Sequence, residues 1–263
     1  HPGCAFLFFC PGAASSSRRV QSSCGLGLAV RILIIHQNFP GQYRHLAAAL
    51  LARGDSVQAI GAPHAPGMAG VPCFRYRLPA PDAVPPVHPW AQDFQTKVIR
   101  AEAVLTLLRD CREQIPRPDL ILGHPGWGEL LGIKDHWGGV PVLHQLEFVY
   151  QLQGGDTDFD PEFPLATGAQ TRLRLRRATQ LLAFHDLDWA LAPTHWQAST
   201  APAAFRERLS VIHEGIDTTG IAPREGSFVN LQKRGLRFAP GDEVVSFVAV
   251  SYTHLRAHET VLD

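Results

Sequence analysis

No apolar run in this sequence approaches the eighteen or so residues that a membrane-crossing helix requires, so no segment reads as a bilayer span. Charge of one sign is not in excess either. Lys plus Arg and Asp plus Glu both number 24 over 263 residues, which leaves no global field to attract nucleic acid or an anionic membrane. Any phosphate recognition must therefore be local. The five cysteines, Cys4, Cys10, Cys24, Cys73 and Cys111, show no CxxC or CxxH spacing. That argues against a metal or redox site and fits a reducing compartment. No internal repeat is visible. What the chain does have is apolar material, 45% of its residues, enough to bury the core of one large domain or two small ones.

Both ends depart from the pattern of the body. Residues 1–29 hold a short apolar segment followed by Pro, Gly, Ser and Arg. A secretion signal needs positive charge before its apolar core, whereas Arg18 and Arg19 follow it. We read Val30 as the native start and the preceding residues as a non-native or disordered leader. At the other end, "GDEVVSFVA" (241–249) begins a strand that "VSYTHLRAHETVLD" does not continue. Residues 250–263 resemble a peptide that recurs in translated short-read assemblies through adapter read-through. The expectation is an artefactual tail on a truncated product.

Between these ends, short apolar runs at 32–35, 57–60, 120–122, 142–146, 189–192 and 209–212 alternate with helical patterns. Alternation of this kind predicts an α/β fold, a Rossmann-like doubly wound parallel sheet. The helix after the first strand should bury Leu46, Ala49 and Leu50 and stop at Gly54. In 90–115, Phe94, Val98, Ala101, Leu105 and Leu108 recur at helical spacing and read as core. The proline-rich stretch 61–89 offers one edge strand at 73–78, and 222–240 reads as a linker.

Ligands of open α/β sheets sit beyond the carboxyl ends of the strands, and four segments occupy such positions. The first, from His36 to Gln42, carries the single glycine Gly41 where G-x-G-x-x-G would be needed for a dinucleotide, so NAD is disfavoured. Gly41 still opens a helix whose N–H groups suit an anion or a hydroxyl, or it marks a plain turn. The second is "GHPGWGE" (123–129), where His124 projects from a strand end, Gly126 and Gly128 allow a tight turn, and Trp127 offers a stacking platform for a sugar ring. Here the plainer reading is a structural histidine.

The third segment, "QLEFVY" (145–150), presents Glu147 either to hydroxyls or to a neighbouring helix end. Behind it, Asp156, Asp158 and Asp160 imitate a calcium loop, but Pro161 and Thr167 stand where Gly and Glu are required. The same aspartates mimic the D-x-D that holds a metal diphosphate in one class of sugar transferase; a solvated loop is the simpler reading. The fourth pairs "PTHWQAS" (193–199), in which Thr194 suits a helix N-cap, with "VIHEGID" (211–217), in which Gly215 permits a left-handed turn. "RLRLRR" (172–177) reads as a solvated helix face or a surface toward an anionic acceptor.

Taken together, "RILIIHQNFPGQYRHLAAALLARG", "HPGWGE", "DFDPEFP", the stretch from Asp188 to Gln197 and "VIHEGID" resemble the N-terminal half of a bacterial family 4 glycosyltransferase over residues 30–249. The resemblance implies the N-terminal half of a GT-B fold. Residues 30–221 would form the acceptor-side domain, and 222–249 a linker plus the first strand of a missing donor-binding domain. It implies sugar transfer from a nucleotide sugar with retention and no metal or other cofactor. The pathway would be polysaccharide or glycolipid synthesis, in the cytoplasm or at the inner face of the membrane, with no nucleic acid partner.

Phe39, Pro40, Gly41 and Gln42 would face the interdomain cleft. His124 matches a histidine beside the transferred sugar and is the catalytic candidate, acting by hydrogen bonding. The other substrate-binding candidates are Trp127, Gly128, Glu129, Glu147, Thr194, Glu214 and Gly215. His213 and Glu214 depart from the family's usual "NGVD" at the crossover. The donor-site carboxylates would lie in the missing domain, so these residues alone are expected to be inactive. A non-catalytic carbohydrate- or nucleotide-binding module is the alternative.

Overall fold

The computed structural model describes residues 29–153, 162 and 168–244. The expected leader, the aspartate run Asp156, Asp158 and Asp160, and the expected strand and tail over 245–263 lie outside the described residues.

Seven parallel strands form one sheet in the order β3-β2-β1-β4-β5-β6-β7. They are β1 (Arg31–Ile35), β2 (Ser56–Gly61), β3 (Cys73–Arg75), β4 (Leu120–Gly123), β5 (Val142–Gln145), β6 (Trp189–Ala192) and β7 (Leu209–Val211). The apolar runs thus become strands, within a residue or so at each end, because parallel strands covered on both faces need no polar alternation. β3, at the sheet edge, falls short of the predicted 73–78 by three residues, while β5 and β7 each end one residue early. The fold is α/β and Rossmann-like. The chain builds β1, β2 and β3 outward in one direction and then returns to place β4 on the other side of β1. The switch in direction lies between β1 and β4, where open sheets of this type leave a crevice at their carboxyl ends.

Alternate residues of β1 feed two separate cores. Ile32 and Ile34 pack with Phe39, Tyr43, Ala47, Leu50 and Val57 on one face. Leu33 and Ile35 pack with Val104, Leu108, Ile121 and Ile133 on the other. Each such fully buried aliphatic side chain stabilises the fold by about 1.5–3 kcal/mol. The first face is covered by α1 (Arg44–Arg53), closed by Gly54, whose N–H reaches Leu50 O and Leu51 O. Within it Ala47 and Leu50 are buried, Leu46 is half-buried and Ala49 is exposed, so the inward stripe lies one position from the predicted one at that turn.

The second face is covered by α2 (Gln92–Asp110), which buries Lys97, Ala101, Val104 and Leu108 while Val98 is exposed. Of the predicted stripe, Ala101 and Leu108 are buried and Phe94 and Leu105 half-buried; only Val98 is turned out, with Lys97 taking the inward place beside it. Lys97 can turn inward because Asp93, one turn earlier, accepts its ammonium at 2.6 Å. Further along come α3 (Ile133–His136), α4 (Ala169–His185) and α5 (His195–Ser199). Where a plain linker was expected, β8 (Val229–Leu231) and β9 (Leu236–Phe238) pair antiparallel.

Candidate functional site

The residues just beyond β1, β4 and β5 converge at the switch point. His36, the first residue past β1, is 3% exposed. Its Nδ1 accepts the Asn38 N–H at 3.1 Å and its Nε2 lies 3.2 Å from Gln42 Oε1. With Nδ1 accepting, the ring proton must sit on Nε2 and donate to Gln42. Burial pulls the imidazole down to about 4, with the hydrogen bond to Gln42 opposing, so His36 is neutral at physiological pH. The same ring explains the lone glycine: at φ +46 a Cβ on Gly41 would meet His36 Cε1 at 2.3 Å. Gly41 is a seat for an imidazole.

Past β4 the arrangement repeats. His124 is buried, and its Nδ1 accepts the Gly126 N–H at 3.0 Å. Its Nε2 therefore carries a proton and points toward Glu147 Oε2, 3.6 Å away. That is beyond hydrogen-bond length but within ion-pair range. Trp127 stacks on His124 with ring centroids 4.0 Å apart and an interplanar angle of 21°, and meets His36 edge-on at 4.7 Å. One indole thus joins the two histidine turns. Gly128, at φ +101, lets this loop press onto α2, where a Cβ would lie 2.3 Å from Lys97 O.

Glu147 follows β5 by two residues and is half-exposed. Its carboxyl is held below the ordinary range, chiefly by interaction with the His124 ring and further by the Gln42 amide, against a desolvation cost. The backbone that presents it is pinned by side chains. Gln180 of α4 donates to Phe148 O at 2.8 Å and accepts from Tyr150 N at 3.2 Å, while Thr200 accepts from Val149 N at 2.8 Å. Beneath, on β5 itself, His144 is pushed down to about 3 by burial and by the charge of His124.

Of the other sequence candidates, Phe39 is fully buried among Tyr43, Ala47 and Leu50, so its side chain packs the core instead of facing a cleft. Pro40 is buried and Gly41 exposed. Glu129 is also turned inward: Tyr76 donates to it at 2.9 Å, and burial raises its carboxyl. It ties the loop to the segment after β3 and presents nothing to solvent. Thr194 is exposed and caps α5, accepting from Gln197 N and donating to Gln197 Oε1. The exposed Glu214 accepts from Gln145 Nε2 at 3.2 Å, which links the turn after β7 to the end of β5. Gly215 takes φ +77 and donates to His213 Nδ1 at 3.0 Å.

Sequence reasoning missed His36, Tyr43, His144 and Gln180 as named site residues. A signal existed for the first. His36, His124 and His213 each follow a strand, and each accepts from the N–H two residues on. A strand-end His-x-Gly or His-x-Asn can therefore be read as an oriented imidazole. Tyr43, His144 and Gln180 read as helix or strand core.

Among the described residues no cluster of His, Cys, Asp and Glu is arranged to hold a metal ion, and no helix is long and apolar enough to cross a membrane.

A family model described as glycosyl transferase family 4 group matches residues 53–221, more than half of the chain. No curated protein matches. Solved structures with a related fold include a UDP-glucose: anthocyanidin 3-O-glucosyltransferase in complex with UDP (11% identity, TM-score 0.45, 75% of this chain and 55% of that one). Others are the glycosyltransferase SnogD from Streptomyces nogalater (20%, 0.37, 69% and 48%) and a UDP-GlcNAc 2-epimerase from Neisseria meningitidis bound to UDP-GlcNAc (11%, 0.37, 68% and 45%). The chain spans about half the length of these structures. At such identities and scores the likeness transfers no function.

Proposed function

The chain belongs to the glycosyl transferase family 4 group, and from that premise we propose that residues 30–221 are the acceptor-side domain of a retaining, nucleotide-sugar-dependent hexosyltransferase. The enzyme is bacterial and acts in the cytoplasm or at the inner membrane face, in polysaccharide or glycolipid assembly. A second Rossmann-like domain, entered through 222–249, carries the donor site and completes the GT-B fold; the described residues alone do not transfer sugar. No metal or other cofactor takes part in the proposed reaction.

The observation that carries this reading is the meeting of His124, Trp127 and Glu147 at the crevice between β1 and β4. The reaction builds positive charge on the transferred sugar and negative charge on the departing phosphate, and fixed dipoles at the cleft lower that barrier. His124 serves as a donor. Its Nδ1 is engaged by Gly126 and its Nε2 is protonated, so the ring as held offers a hydrogen bond and has no free lone pair with which to take a proton. Trp127 supplies an apolar face for a sugar ring.

The test is transfer from UDP-, GDP- and ADP-hexoses by the chain extended through its second domain, with the anomeric configuration of the product read by NMR. We expect a retained anomer and a loss of roughly a hundredfold in kcat for His124→Ala, the size seen when one preorganised donor is removed. An inverted product, or an unaltered kcat in that variant, overturns the reading.

A further inference from the structure

Three aromatic side chains beyond the carboxyl ends of β5 and β6 belong to none of the apolar cores. Phe148 and Tyr150 follow β5 and are half-buried, and Trp196, on α5, is 54% exposed. None of the three joins the clusters on the two sheet faces or the third cluster around Leu146 and Phe184. An indole left this open forfeits much of the stabilisation that burial would give it, which points to a use other than packing.

The rings form a row with a guanidinium at one end. Trp196 lies 6.5 Å from Phe148 at a tilt of 40°, Phe148 meets Tyr150 edge-on at 5.3 Å, and Arg176 Cζ stands 5.7 Å over the Tyr150 ring. The row is fixed before any ligand arrives. Val149 is fully buried in the third core, so the side chains before and after it emerge on the opposite side. Gln180 bonds the backbone of Phe148 and Tyr150, and Gln151 donates to Val149 O and Thr200 O. Under Trp196, Thr194 caps α5 and Ser199 donates to the Trp196 carbonyl at 2.6 Å. A surface held in this way loses little entropy on binding.

Charge and ring geometry together select the occupant. The Asp93 carboxylate lies 2.6 Å from Lys97 Nζ and 3.9 Å from Arg176 Nε, so one negative charge faces two positive ones. Arg177, the next residue, has its Nε buried with no hydrogen-bond partner, and "RLRLRR" (172–177) contains no acid. The Arg176 end therefore favours an anionic group. A hydrocarbon chain is a poor match for a row that ends in charge, and a stack of flat bases finds no parallel pair of rings, since Phe148 and Tyr150 are at 82°. Linked pyranose rings fit better: each sets its apolar C–H face on one aromatic ring and keeps its hydroxyl edge in water.

We infer that Trp196, Phe148, Tyr150 and Arg176 form a platform for an acidic oligosaccharide, its rings along the aromatic row and an anionic substituent at Arg176. The inference rests on the sugar-transfer reading above and narrows it. Phe148 directly follows Glu147, so a chain lying on the row has one end at the crevice, and the acceptor is a pre-formed acidic glycan and not a small aglycone or a lipid phosphate.

The experiment is calorimetric titration of the whole chain, with the Trp196 indole N–H followed by NMR and assigned by its loss in Trp196→Phe. The probes are tetragalacturonate, galacturonate, maltotetraose, inorganic polyphosphate, and vesicles of phosphatidylglycerol with phosphatidylcholine. Tetragalacturonate should shift the indole saturably, and galacturonate should bind at least tenfold more weakly because one ring covers one part of the row. Trp196→Ala should weaken the tetrasaccharide roughly tenfold, as expected for loss of an exposed stacking anchor. Arg176→Gln should weaken it about threefold, the size of an exposed ion pair, and leave maltotetraose binding unchanged. Absence of any tetragalacturonate shift, equal binding of the monomer, or unchanged affinity in both variants overturns the platform. An equal response to polyphosphate, or an indole resonance broadened by vesicles alone, overturns it in favour of a general polyanion surface or a lipid surface. Retaining transfer to a small acceptor by the two-domain chain, with no tetrasaccharide binding, would sink this inference alone. Tetrasaccharide binding without any transfer would sink only the catalytic reading.

Discussion

A methyl group at Gly128 would lie 2.3 Å from the Lys97 carbonyl oxygen and 2.7 Å from its Cα, with the backbone already at φ +101. Neither obstacle is the free end of a flexible side chain. Gly128→Ala should therefore cost about 3 kcal/mol, the left-handed penalty plus a displaced loop. Urea unfolding checks it against Gly54→Ala, where nothing lies within 4 Å and only the backbone penalty of about 1–2 kcal/mol applies. Equal losses would show that contact with Lys97 is not what fixes the loop. Gly41 belongs to the same scale. Its single glycine differs from a dinucleotide fingerprint because what approaches the backbone is the ring of His36.

Among the elements, α4 carries more than its apolar stripe. Gln180 reaches across to bond both sides of the segment that follows β5, and Thr200 after α5 holds Val149 between them. That segment has left the sheet, so its backbone groups depend on side chains for partners. Gln180→Met keeps the volume and removes both bonds. It should lower stability by roughly 2 kcal/mol and speed hydrogen exchange at the Tyr150 amide, while exchange in β1 changes only by the global loss. Local protection left intact would assign the pinning to Thr200 alone. The one departure from the predicted α2 stripe has a tertiary origin. Lys97 is drawn in by Asp93 and by contact with the Gly128 loop, and Val98 is turned out.

For the molecule as a whole, acid should be destabilising over a defined window. His36 and His144 are neutral in the native state, down to about pH 4 and about pH 3, whereas unfolded histidines take up a proton near 6.5. Between those limits the unfolded state binds more protons, so stability is complete above about pH 7 and falls as pH drops. Urea midpoints measured from pH 7.5 to 4.5 should decline with a slope approaching two protons, about 2.7 kcal/mol per pH unit at its steepest. Glu147, depressed in the fold, adds its own loss below about 4.5, in the same direction. A flat profile from 6.5 to 5 would mean the two imidazoles are not held neutral.

Local patterning is enough to set the alternation of buried strands and helices, and with it the parallel sheet, because covered strands must be apolar on both faces and helices on one. It also marked the strand ends at His124 and Glu147, since chemistry in such sheets gathers there. Which side chains meet is settled by packing across the sheet. Phe39 and Glu129 sit beside those positions in sequence yet turn inward to pack or to bond Tyr76. His36 and Tyr43, unremarkable as letters, become the partners of Trp127 and of the Glu147 charge. The order of the strands puts the end of β1 next to the end of β4, pairing Ile35 with Gly123 across 88 positions of chain, and no local pattern encodes that adjacency. It follows from where each crossover lays its helix against the sheet.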